Sequence, residues 1–152
     1  MVQVATYDKY EPISGGFRAP LAADLTFTAG SIGPVGVSLD ANGRVVVGTA
    51  AQSGGVGIMV KNVPSTPNLG NIAGTVNAGV PIGGKAGNIV DVMTDGEIIV
   101  PASLGLAAGT TYYVASNGSL TSTPPATGVN GYRAGHTVEA TRLIVRFERV
   151  QG

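Results

Sequence analysis

The stretch TYYVASNGSLT, residues 111–121, opens with the β-branched and aromatic run TYYVA (111–115) and turns at Asn117-Gly118. An Asn-Gly pair tolerates the positive φ that a tight hairpin needs, so this segment reads as two antiparallel strands. The same grammar spreads outward along the chain. Strand-forming runs occur at LTFT (25–28), VGVSL (35–39), RVVVG (44–48), VGIMV (56–60), NIVDVM (88–93), EIIV (97–100) and RLIVRFE (142–148), with turn residues between them. Asp40-Ala41-Asn42-Gly43 and Asp95-Gly96 are two further turn signals, each expected to join antiparallel neighbours. In the last run Leu143, Val145 and Phe147 alternate toward a core, and Arg142, Arg146 and Glu148 face away with Ile144. Helical periodicity is nearly absent. One short turn is expected within 101–109, which has Pro101 at its start and Gly109 at its end. Many short strands at this spacing predict an all-β fold, a small antiparallel β-barrel or β-sandwich with little helix.

Residues 1–24 differ from the rest. They hold Tyr7, Asp8, Lys9, Tyr10, Glu11, Phe17, Arg18 and Asp24 with two prolines and Gly15-Gly16, and no period is sustained. They read as an extended N-terminal arm that orders on a partner. Residues 25–152 form one β domain. Within it, 62–84 is a long Gly/Pro/Asn-rich loop carrying a weak strand, IAGTV (72–76).

The chain has 152 residues and no cysteine, so disulfides and thiolate chemistry are ruled out. Charged residues make up 12%, against about 25% in an ordinary soluble domain. They balance at 9 of each sign, which gives no general claim on nucleic acid or acidic lipid. No apolar run is long enough to span a membrane, and the first residues lack the basic start and apolar run of a secretory signal. A small, neutral, charge-poor chain is prone to association; it reads as a body held against other protein, or as a Gly/Thr/Ala-rich β domain whose surface is hydroxyl-bearing instead of ionic.

Candidate chemistry is sparse. Gly79, Gly84 and Lys85 have P-loop spacing, but Ala86 stands where a Ser or Thr would hold magnesium, and a strand pattern follows where a helix is needed. His136, the one histidine, reads as a loop residue before the last strand, with no nucleophile elbow to serve. Asp91, Asp95 and Glu97 read as solvated hairpin charges. No catalytic residue, cofactor or metal is expected. Arg133 and, in the last strand, Arg142, Arg146 and Arg149 form a mildly basic edge suited to an acidic protein surface.

The runs 87–100, Leu106–Val114, Asn117–Thr121 and Thr141–Phe147, with Phe27–Val37 before them, resemble the DUF2190-like capsid decoration (cement) proteins of tailed bacteriophages. The likeness covers about residues 25–148 and is strongest from 85 onward. It implies a non-enzymatic virion protein on the outer capsid surface, made in the bacterial cytoplasm, with the major capsid protein as partner and a trimer as the favoured self-association. In that setting Tyr7, Tyr10, Phe17 and Arg18 are the expected capsid-binding residues of the arm. A tail-tube or head-joining protein is the alternative, and a nucleotide-binding phage enzyme a distant one.

Overall fold

The computed structural model describes residues 15–25, 34–60, 86–100 and 102–152. Ten strands run through them: β1 (Gly16–Pro20), β2 (Pro34–Leu39), β3 (Val45–Val47), β4 (Gly55–Val60), β5 (Ile89–Met93), β6 (Asp95–Ile99), β7 (Thr111–Val114), β8 (Leu120–Thr121), β9 (Asn130–Thr137) and β10 (Arg142–Gln151). The expected helical turn is a single 3-10 turn, Ala102–Leu104, which ends at Gly105 with φ 72°. The all-β prediction therefore holds. LTFT beyond Leu25, and the 62–84 loop with its weak strand, lie outside the described residues.

The strands form two five-stranded antiparallel sheets, ordered β1-β5-β4-β2-β3 and β6-β10-β9-β7-β8. Two of the three predicted turns join neighbours as expected. The turn at 40–43 links β2 to β3, and Asn117-Gly118 links β7 to β8. The Asp40 carboxylate accepts from the amides of Asn42 and Arg44, both at 2.9 Å, which locks the first of these.

The third, Asp95-Gly96, is not a hairpin. These are the first two residues of β6, and β5 and β6 belong to different sheets. Thr94 makes the transfer alone. Its N–H donates to the Gly15 carbonyl at 2.6 Å beside β1, and its own carbonyl accepts from Phe147 N–H at 2.9 Å on β10. Gly96 serves the crossing with φ 144°, where a Cβ would lie 2.8 Å from Met93 Cε.

Residues 15–24 correct the arm boundary. β1 pairs with β5 in full register, and Ala19 and Leu21 are buried beside a half-buried Phe17. The alternation Phe17-Ala19-Leu21 points one face of this strand inward, which is why it joins the domain. Past β1, Leu21 bridges Val45 of β3 in parallel, and Ala22 N–H donates to the Val45 carbonyl at 2.9 Å. The two outermost strands of the first sheet thus meet, and that sheet curls on itself.

Two cores result. The inside of the curled sheet holds Ala19, Leu21, Val37, Val45, Met59 and Val92. Between this sheet and the second lie Ile58, Met93, Ile98, Val100, Val114, Ala134, Leu143 and Val145. Neighbouring residues of β4 (Ile58, Met59) and β5 (Val92, Met93) serve opposite cores, as a period of two requires.

Backbones touch where three glycines meet. Gly36 N–H donates to the Gly118 carbonyl at 2.7 Å, and Gly48 N–H donates to the Gly36 carbonyl at 2.8 Å. A Cβ on Gly118, whose φ is 92°, would lie 2.6 Å from the Gly36 oxygen. Gly43 also has positive φ, 72°, but faces open space. Gly43→Ala should therefore cost about 1–2 kcal/mol for its backbone alone. Gly118→Ala should cost roughly 1–3 kcal/mol more for the overlap, read from denaturant unfolding of both variants.

Thr137, 1% exposed, ties the segment after the 3-10 turn to β9. Its Oγ1 donates to the Ala107 carbonyl at 2.5 Å and accepts from Thr110 N–H at 3.0 Å. Thr137→Val keeps the shape and strands both partners, so unfolding free energy should fall by about 1–3 kcal/mol, with faster hydrogen exchange over 105–110.

Candidate binding surface

The face of the second sheet turned away from both cores is the candidate surface. Its centre is one cross-strand row. Glu97 pairs with Ile144, Ile144 with His136, and His136 with Thr111. His136 is thus the penultimate residue of β9, not in a loop, held between β7 and β10. The sequence obscures this strand because NGYRAGHT contains one β-branched residue, two glycines and an alanine. Pairing on both sides overrides that poor propensity.

Around His136 the face sinks into a depression of about 370 Å³ lined by Thr111, Arg133, Gly135, His136, Ile144 and Arg146. Two register shifts frame it, one between Tyr112 and Tyr113 and one between Val145 and Glu148. Bulges of this kind re-aim side chains and sharpen the local twist. Gly135, at φ 149°, makes bare backbone part of the wall, since a Cβ there would overlap the Ile144 carbonyl.

The basic edge predicted from the sequence does not act as one unit. Arg142 is engaged: its Nε and Nη2 donate to Glu139 at 2.6 and 3.0 Å, and Glu97 lies 3.6 Å away. Arg133 pairs with Glu148. Arg146 and Arg149 make no ion pair among the described residues, and of these two Arg146 lines the depression, as Arg133 does. Thr111, Gly135 and Ile144 were not legible as site residues, because the pairings that collect them cross strands far apart in sequence.

Of the expected capsid-binding residues, Tyr7 and Tyr10 lie outside the described residues. Phe17 packs on the inner core of the curled sheet, and Arg18 is exposed on β1 with its Nε 2.6 Å from Asp91. The acidic trio is divided between sheets, Asp91 on β5 and Asp95 and Glu97 on β6, so it is not a hairpin cluster. The Gly79–Lys85 segment lies outside the described residues; past it, Ala86 N–H donates to the Asp24 carboxylate at 2.8 Å and β5 follows at Ile89. Among the described residues no group of three His, Cys, Asp or Glu side chains gathers to hold a metal ion, and no helix is long and apolar enough to cross a membrane.

No family model matches the chain, and no curated protein matches it. A solved structure does. A chain from Mycobacterium phage Patience superposes with a TM-score of 0.66 at 19% identity, covering 95% of this chain and 96% of that one. This likeness establishes a shared fold.

Two carboxyls titrate below their ordinary values. The side-chain hydrogen bond from Arg142 lowers Glu139, and the Arg44 backbone N–H lowers Asp40. A carboxyl depressed in the folded state adds stability above its unfolded pKa and loses it as pH falls through the folded value. Melting temperature should therefore decline as pH drops below the ordinary values of 4.5 and 3.8. In Arg142→Ala, NMR titration should return Glu139 toward its ordinary value and leave Asp40 unmoved.

Proposed function

We propose that this protein is a structural component of a phage virion, a decoration (cement) protein that sits on the outer surface of the head and braces neighbouring major capsid protein subunits. One observation carries the reading: the fold matches a chain of a mycobacterial phage over nearly the whole length of both proteins. The runs shared with capsid decoration proteins favour the shell over other virion sites. The physical character of the chain supports the same role. A chain with only 12% charged residues suits a body that works by fitting against neighbours. Many modest contacts repeated across a lattice sum by multivalency, which is how small proteins strengthen a shell.

In this reading the N-terminal residues with Tyr7 and Tyr10 reach along the major capsid protein, and Phe17 and Arg18 fix the root of that reach on β1. Copies self-associate around a closed axis, with a trimer favoured. No cofactor, membrane or direct nucleic-acid contact enters the mechanism, and the chain is not an enzyme.

The test is quantitative mass spectrometry and electron microscopy of the particle that carries this chain. The expected result is shell-scale stoichiometry on the head exterior. Particles stripped of the protein should rupture at lower temperature and regain resistance when it is added back. A chain lacking residues 2–14 should rebind far more weakly. Confinement to a few rings in the tail or at the neck overturns the reading in favour of a tail-tube or head-joining protein.

A further inference from the structure

We propose that the depression on the outer face of the second sheet is a carboxylate-binding site, and that its occupant is an Asp or Glu side chain presented by a protein partner. The inference goes beyond the virion role and does not depend on it. Its donors converge from three strands: the Arg146 guanidinium on β10, the Arg133 guanidinium and His136 imidazole on β9, and the Thr111 hydroxyl on β7. Arg146 is exposed and without an ion pair among the described residues, so its donor fork is available. A guanidinium fork matches a carboxylate in bidentate geometry.

The surroundings select the ligand. Carboxylates stand at the rim: Glu148 holds Arg133, Asp95 is opposite Arg146 in register, and Glu97 is opposite Ile144. They oppose a doubly charged phosphate more than a singly charged carboxylate. The depression is also open on one side, whereas a free small ligand needs about 70–90% of its surface enclosed. A side chain carried by a protein surface meets no such demand, because flanking contacts add to the binding. An apolar flank is present: Ile99, 52% exposed, is opposite Arg142 on the same face, and Val138, 43% exposed, follows β9 directly.

The test is an amide and arginine side-chain NMR titration of the full chain with the peptide acetyl-Val-Thr-Glu-Thr-Val-amide. Its Gln counterpart, sodium glutarate and inorganic phosphate are titrated in parallel. The Glu peptide should give saturable shifts centred on Thr111, Arg133, Gly135, His136, Ile144 and Arg146, and the Gln peptide should not. Arg146→Ala should weaken the peptide at least about tenfold, the loss of one charge-assisted bond, and Arg146→Lys should recover part of it. Unchanged amide shifts away from the site show that both variants are folded. No saturation by the Glu peptide at about 10 mM, a free energy of roughly −3 kcal/mol, overturns the proposal. So does equal binding by the Gln peptide, phosphate or glutarate, or full affinity in Arg146→Ala.

Discussion

The structure depends on covering β4 and β5 on both faces. Ile58 and Met93 point toward the second sheet, while Met59 and Val92 point into the curl of the first. Each such side chain contributes roughly 1.5–3 kcal/mol by leaving water. A strand segment buried on both sides must be apolar at successive positions, as Ile58-Met59 and Val92-Met93 are. The first sheet can therefore be neither flat nor alone. It curls until Leu21 meets Val45, and it receives the second sheet against its other face.

Close packing of that kind explains where the small residues and the charges lie. Gly36, Gly48 and Gly118 let the hairpin of the second sheet reach the backbone of the first, so hydrogen bonds cross the layers directly. Thr94 does the same where the chain passes from β5 to β6, giving one peptide group to each sheet. Charges are left for the exterior, where ion pairs such as Arg18–Asp91 and Arg142–Glu139 staple adjacent or nearby strands. Pairs this exposed add little stability, and their effect is to hold side chains in place. On the outer face of the second sheet that order leaves Arg146 unpaired among the described residues, at the edge of a hollow whose wall is bare backbone.

The chain is neutral overall, and its ion pairs among the described residues lie on the exterior. A phage chain shares this fold at 19% identity.

Strand runs were legible wherever β-branched residues clustered, as in β2, β4, β5, β7 and β10, and so were the turns at 40–43 and Asn117-Gly118. Local chemistry sets these: side-chain alternation and positive φ act within a few residues. Three features were decided only by tertiary structure. β9 is poor in strand formers and exists because β7 and β10 supply both its ladders. Asp95-Gly96 has the composition of a hairpin, but Thr94 bonds to two different sheets and the chain crosses instead. The candidate site joins Thr111, His136, Ile144 and Arg146, which no local pattern links. Register across strands brings them together, and register is set by which faces are buried and where the bulges fall.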